Sequence, residues 1–371
     1  MKIGIDASRV TEAGQTGTER YSREIIAAML RVAPEHDYRL YVRSDENARA
    51  VEHIAPASRI VRVSPPRLWT HLGLARELAR NPPDALFVPA HVLPMSAAWG
   101  LRRTRKVAMI HDVGFRFFPA AHPIKQRLYL EFAARFALKY ADVVLALSEN
   151  TRQDLIRQYA APSAKVQTAL PGLPALAEVT PAEIDAALNK FDLRGPYALF
   201  TGTQQPRKNV RRLLQAWVLA DGLPDGASLV IAGKPGWGGE TLADIAPPSA
   251  KFVGYVSEVE KSALVRRARA VVVPSLYEGF GFPVIEAQSV GVPVACSNTS
   301  SLPEAAGDGA VLFDPLDAQD MAAAISRVFS DDSLRRGLVE RGLRNAARFS
   351  WERSAKVVLG AMKSKMSLGD K

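Results

Sequence analysis

The chain has 371 residues, 47% hydrophobic and 23% charged, which is the balance of a soluble globular protein and longer than one growing core usually allows, so two domains are expected. Its single cysteine, Cys296, excludes an internal disulfide, and the lack of any run of about 18 apolar residues argues against a membrane-spanning helix. The net charge of +10 is uneven: residues 1–180 hold 25 Lys+Arg against 17 Asp+Glu, the remainder 23 against 21. A basic first half suits anionic partners such as phosphorylated lipids or a membrane surface, or it serves solubility alone. Nucleic acid is not expected, because no helix-turn-helix, zinc or RNA-recognition pattern accompanies the charge.

MKIGIDASRV opens on a strand and lacks the long apolar stretch and small-residue cleavage site of a secretory signal, so the expected location is the cytoplasm. RYSREIIAAMLRVA then sets Ile25, Ile26, Met29 and Leu30 on one helical face. RLYVR, DALFVP, KVAMIHD and DVVLALS read as further strands. Between the last two, IKQRLYLEFAARFALKY interleaves Lys125, Arg127, Arg135 and Lys139 with Leu128, Leu130, Phe132 and Phe136. That is either a basic amphipathic helix for an anionic membrane or an ordinary helix packed on its own domain. Three prolines cluster in residues 170–185, LPGLPALAEVTPAEID, the expected domain boundary. The second half repeats the alternation with YALFTGT, SLVIAG, KFVGYV, AVVVPS and PVACS as strands. Strands rich in Val, Ile and Leu, separated by helices, predict two α/β units with parallel sheets covered on both faces.

Two loops stand out. In SLYEGFGFPVIEAQSVGVPV, residues 275–294, a buried strand should lead through YEGFGF into a helix, with Pro283 in its first turn and Gly291 and Pro293 ending it. Such a loop lies at the C-terminal edge of a parallel sheet, where ligands gather. Gly279 and Gly281 let backbone N–H groups approach an anion, and Glu286, read as lying in the first helical turn, would be stabilised by the helix dipole. Glu286 and Glu278 could each accept hydrogen bonds from a sugar; the plainer alternative is a capping Glu286 and a solvated Glu278. FTGTQQPRKNVRRLLQAW sets Arg207 and Lys208 where a loop meets a helix N-terminus. That is unfavourable for the dipole unless an anion sits there, where at about 4 Å and an effective dielectric near 20 each charge pair is worth about 4 kcal/mol before desolvation. A solvated basic turn is the alternative.

These segments resemble family 4 glycosyltransferases of the GT-B fold: GTQQPRKN matches a G-x-x-x-x-R-K-N segment and EGFGFPVIE an E-x7-E motif. LVIAGKPGWGGE, FVGYVSE, GVPVACSNTSSLPE, GAVLFDPLD and FSWE match in similar order over residues 195–352. The first half is similar more loosely, through its first strand, the Gly17 loop, IHDVGF and LALSEN. The resemblance implies two Rossmann-like parallel-sheet domains facing across a cleft, 1–172 completed by a C-terminal helix at 350–371, and 173–349 for the nucleotide-sugar donor. It further implies that Arg207 and Lys208 bind the donor diphosphate and Glu286 the ribose. Glu278 and the backbone of Gly279, Phe280, Gly281 and Phe282 would hold the sugar, while Tyr255 and Val256 lie against the base. The resemblance implies that His111 reaches the sugar from the first domain, whereas the bare sequence favours a satisfied histidine at a strand end. In TGTERY, Glu19 stands where the family often has a second glycine, which leaves loop contacts from Gly17 standing and those from Thr18 and Glu19 open.

The implied activity is a retaining, metal-independent hexosyl transfer, and no Asp-x-Asp or His/Cys cluster suggests a metal. ERY and KPGWGGE are most similar to bacterial mannosyltransferases building surface polysaccharide such as O-antigen. That points to GDP-mannose or a GDP-deoxyhexose as donor, ahead of UDP-glucose, and to a glycan or lipid-linked acceptor, with peripheral contact at the inner face of the plasma membrane. A GT-B sugar-nucleotide epimerase and a non-catalytic nucleotide-sugar binder are the other readings.

Overall fold

The computed structural model describes residues 1–11, 17–65, 68–90, 92–98, 100–119, 123–236 and 242–363. The second part of KPGWGGE and the end of the C-terminal tail lie outside the described residues. The chain divides into two compact units: Met1–Arg116, Pro123–Gly172 and Phe349–Lys371 form the first, Phe117–His122 and Leu173–Arg348 the second.

The first unit is built on seven parallel strands, β1 (Lys2–Asp6), β2 (Asp37–Val42), β3 (Ile60–Arg62), β4 (Ala85–Val88), β5 (Arg105–Ile110), β6 (Val143–Ala146) and β7 (Val166–Thr168), in the order β3-β2-β1-β4-β5-β6-β7. Its helices are α1 (Gly17–Val32), α2 (Asp45–Glu52), α3 (Ala75–Arg80), α4 (Gly114–Phe117), α5 (Ile124–Tyr140) and α6 (Glu149–Tyr159). Leu86, Val88, Ala108, Ile110, Val144 and Ala146 share one buried face with Leu78 of α3, Ala134 and Ala137 of α5 and Leu155 of α6. Every second strand residue points that way, so the intervening apolar residues need a second layer of helices.

The second unit holds six parallel strands, β8 (Tyr197–Thr201), β9 (Ser228–Ala232), β10 (Ala250–Gly254), β11 (Ala270–Val273), β12 (Val294–Ser297) and β13 (Ala310–Phe313), in the order β10-β9-β8-β11-β12-β13. Its helices are α7 (Pro181–Lys190), α8 (Val210–Leu219), α9 (Glu258–Arg267), α10 (Phe282–Ser289), α11 (Leu302–Ala306), α12 (Ala318–Ser330) and α13 (Asp332–Ala346). The last helix of the chain, α14 (Trp351–Lys363), belongs to the first unit. Alternation along β8 shows why both faces are covered: Ala198 and Phe200 pack with Leu213 and Trp217 of α8 and Ile325 and Phe329 of α12, whereas Tyr197 and Leu199 pack with Leu264 of α9 and Val284 and Ala287 of α10.

In each sheet the strand order reverses once, between β1 and β4 and between β8 and β11. Helices leave on opposite faces there and a crevice opens at the strands' C-terminal ends. Behind the second crevice, Asn209 takes a left-handed conformation at φ 58°, which asparagine tolerates better than most side chains. Its Nδ2 donates to Pro274 O at 3.1 Å and Pro315 O at 2.7 Å, tying the loops after β11 and β13 to the start of α8. Asn209→Gly keeps the backbone conformation and removes both bonds. Thermal unfolding should then show a loss of about 1–3 kcal/mol, since Pro274 O is left unpaired while Pro315 O keeps its bond from Arg212 Nη1 at 3.0 Å.

Candidate active site

Three strand-ending loops of the second unit are laced together by backbone. Gly202 N donates to Ala232 O at 2.9 Å, Gly233 N to Gly254 O at 2.7 Å and Gln204 N to Lys234 O at 3.1 Å. The fit leaves no room for a side chain at Gly233, whose φ is +146° and whose added Cβ would fall 2.0 Å from Gly202 O. The loop after β8 continues into a single 3-10 turn, Pro206–Lys208, and Leu276 N donates to Arg207 O at 2.8 Å, joining it to the loop after β11.

Across that junction Glu278 meets both cations. Its Oε2 accepts from Arg207 Nη1 at 3.0 Å, and its Oε1 from Lys208 Nζ and from Ser275 Oγ, the latter at 2.7 Å. Glu278 is only 7% exposed, which removes the reading of a solvated carboxylate. Burial alone would push its carboxyl up, but Lys208 and Arg207, with the bonds from Lys208 and Ser275, outweigh it and hold the group at about 2. Arg207 Nη1 also donates to Tyr277 O at 3.0 Å and its Nε to Gln205 Oε1 at 3.2 Å. Two cations facing one carboxylate leave this cluster with a net positive charge, at the switch point of the sheet.

The glycine-aromatic loop is held from behind by two serines. Ser300 Oγ accepts from Glu278 N at 3.0 Å, and Ser301 Oγ donates to Glu278 O and Phe280 O at 2.9 and 2.8 Å. Gly281 turns the chain at φ 113° into α10, and Pro283 lies in the first turn. Phe280 is buried, 5.5 Å from the ring of Phe282, so only its backbone can face a ligand. The serines belong to NTSSLPE, a segment noticed for its resemblance and given no task; two adjacent hydroxyls ahead of a short helix were the available signal.

Glu286 departs from expectation. Helix α10 starts at Phe282, so Glu286 lies in the second turn, beyond the last unpaired N–H groups that make the dipole effective. Its charge is answered instead by Lys261 of α9, whose Nζ donates to Glu286 Oε1 at 2.7 Å, with the carboxylate side chain 3% exposed. Lys261 was not singled out from the sequence. It sits one residue past Glu260, which completes a capping box with Ser257 and thereby fixes where α9 begins.

Tyr255 is 59% exposed beyond the end of β10, with Lys234 Nζ 5.0 Å over its ring, while Val256 packs against the α9 side of the core. Gly17 begins α1 in the first unit, and Thr18 O accepts from Ser22 Oγ at 2.9 Å. His111 follows β5, is 5% exposed, and lies with Nε2 2.7 Å from Pro89 O. Among the described residues, no group of three or more His, Cys, Asp or Glu is placed to hold a metal ion.

Comparison with known proteins gives the same picture for both units. Residues 16–174 match the model described as Glycosyltransferase Family 4, and residues 183–344 the model described as Glycosyl transferases group 1. The chain is 32% identical to O-antigen chain mannosyltransferase B of Escherichia coli over 98% of this chain and 100% of that protein. It is 28% identical to the serotype-specific mannosyltransferase WbdA of Escherichia coli over 64% of this chain and 30% of that one. Among solved structures, Anabaena HepE in complex with UDP and glucose superposes with a TM-score of 0.74 at 16% identity, covering 98% and 99% of the two chains.

The Glu278 cluster sets a pH dependence. Its carboxyl lies near 2 in the fold against an ordinary 4.5, so the stability it adds is complete above about 4.5 and is lost as pH falls from there through 2. Thermal unfolding across that range should show Glu278→Gln with a flatter acid limb than the parent. At neutral pH the variant should be less stable by on the order of 3 kcal/mol.

Proposed function

Because the chain belongs to glycosyltransferase family 4 and has its GT-B fold, we propose that this glycosyltransferase moves mannose, or a deoxyhexose derived from it, from a GDP-sugar to a growing surface polysaccharide, retaining the anomeric configuration. The observation that carries the reading is the pairing of Arg207 and Lys208 with Glu278 at the β8/β11 switch point. The choice of donor draws on the mannosyltransferase named above, which is similar along its whole length.

In the proposed reaction the bond between the anomeric carbon and the diphosphate oxygen breaks, and its electron pair leaves with the diphosphate. The acceptor hydroxyl bonds to that carbon from the same face and gives its proton to a leaving phosphate oxygen. Negative charge thus grows on the diphosphate, and Arg207 and Lys208 stabilise it most in the transition state. Both cations are preorganised by Glu278, so little rearrangement accompanies bond breaking. Fixed side-chain cations supply this charge without a metal. We assign the backbone of Gly279, Phe280, Gly281 and Phe282 to the sugar side together with Glu278, Glu286 to the ribose, Tyr255 and Val256 to the base, Gly17 to the phosphates and His111 to the sugar.

Helix α5 supports a lipid-linked acceptor at the cytoplasmic face of a membrane. Ala133, Ala134 and Ala137 are buried, and Leu130 and Phe136 pack partly against the core. Ile124, Leu128, Tyr129 and Phe132 remain exposed among Lys125, Arg127 and Lys139, while Arg135 is paired with Glu131 at 2.7 Å. Cations set among exposed apolar side chains fit an anionic bilayer, each adding about 1 kcal/mol near the surface. No described helix is long and apolar enough to cross a membrane.

Two measurements test the reading. With GDP-mannose as donor, Lys208→Ala should lower kcat by about 10²–10³ with a small change in KM; a raised KM at unchanged kcat would remove the proposed role. In liposome flotation the protein should rise with vesicles of anionic phospholipid and not with zwitterionic ones, and Leu128→Ser with Phe132→Ser should abolish the effect. Equal recovery with both vesicle types would refute the electrostatic part.

A further inference from the structure

Tyr21 of TGTERY and Trp351 of FSWE take no part in the donor-side geometry, yet they converge on His111 within the first unit. Tyr21, on α1, is fully buried and its ring meets that of His111 edge-to-face, centroids 4.9 Å apart and planes at 85°. The same tyrosine ring packs on Trp351, with centroids 5.7 Å apart at 59°. Trp351 in turn presses on Gly172, where an added Cβ would fall 2.3 Å from the indole. Gly172 is the last residue before the chain leaves the first unit, and Trp351 lies two positions after Phe349, where it returns.

The imidazole is therefore gripped from two sides. Pro89 O can only accept, so at 2.7 Å it fixes the proton of the neutral ring on Nε2 and makes Nδ1 the acceptor nitrogen. Tyr21 acts on a different freedom, the tilt of the ring about that hydrogen bond, because an edge-to-face contact is directional. Tyr21 is itself wedged by Trp351, whose place depends on a glycine.

We propose that Tyr21 and Trp351 are positioning residues for His111, so that the segment through which the chain returns to the first unit sets the angle of the histidine ring. The inference rests on the reading of His111 as a sugar-contacting residue.

The test uses the full chain, with GDP-mannose as probe, or UDP-glucose if only that donor is turned over. Nucleotide release and the dissociation constant of the free nucleotide are measured in parallel. Tyr21→Leu should lower kcat by about 10-fold or more, as misplacement of a reacting group does, and leave the nucleotide dissociation constant within about twofold. Tyr21→Phe, which keeps the ring, should restore kcat; Trp351→Leu and Trp351→Phe should repeat the contrast. In a His111→Asn background, Tyr21→Leu should cost less than about twofold, because the group it positions is gone. The same loss with and without His111, or wild-type kcat in Tyr21→Leu, would overturn the proposal. Wild-type kcat in His111→Asn would instead overturn the reading of His111. The two failures are distinct, since in the first His111→Asn is slow. Should Tyr21→Leu not fold, the comparison of Trp351→Phe with Trp351→Leu decides between the same outcomes.

Discussion

Glu278 answers two cations at once, and the joining of the β8 and β11 loops depends on that pairing. Arg207 and Lys208 come from the loop after β8, Glu278 from the loop after β11, and these strands are neighbours where the sheet order reverses. A crevice of this kind has no helix to close it, so its two lips need a bond of their own. A buried carboxylate between two cations supplies one, and it holds both cations at the junction of the two loops. Ser275 completes the carboxylate's hydrogen bonds, and Ser300 and Ser301 fix the backbone that carries it. Without the carboxylate, two adjacent positive charges would repel each other at the start of a helix. With the carboxylate in place the cluster carries one net positive charge instead of two.

Much of the fold was legible in the sequence because runs of consecutive buried apolar residues announce themselves as strands. YALFTGT, SLVIAG, AVVVPS and PVACS became β8, β9, β11 and β12, and RYSREIIAAMLRVA became α1. The described strands not named in advance are β3, β7 and β13, which lie at sheet edges. Residues Ile60–Arg62 and Val166–Thr168 are three residues long and partly exposed, so neither a buried run nor a clear alternation marks them. GAVLFDPLD was noticed only as a likeness, although Ala310–Phe313 is a strand.

The site was legible as residues rather than as partnerships. Arg207, Lys208 and Glu278 stood out because their charges sat in loops at a sheet edge, but their mutual pairing joins positions about 70 apart. Glu286 shows the limit more sharply. Counting from the proline suggested a helix-dipole position, whereas the charge is met by Lys261 from a neighbouring helix. One turn of error in a helix start changes the physical explanation of a carboxylate, and only packing reveals which cation lies beside it.

Helix α14 carries a consequence for how the molecule is made. It is the last described element of the chain, yet it packs against α1, with Glu352 bonded to Arg31 at 3.1 Å, and Arg105 of β5 donates to Ala361 O across 256 positions. During synthesis the first unit therefore emerges without the layer that covers part of its sheet, while the second unit, apart from one short segment, is continuous in sequence. Contacts of such separation form late, because closing a long loop costs entropy before any contact rewards it. Everything the second unit is built from precedes Phe349 in the chain. The first, although begun earlier, keeps an open face until α14 has been made.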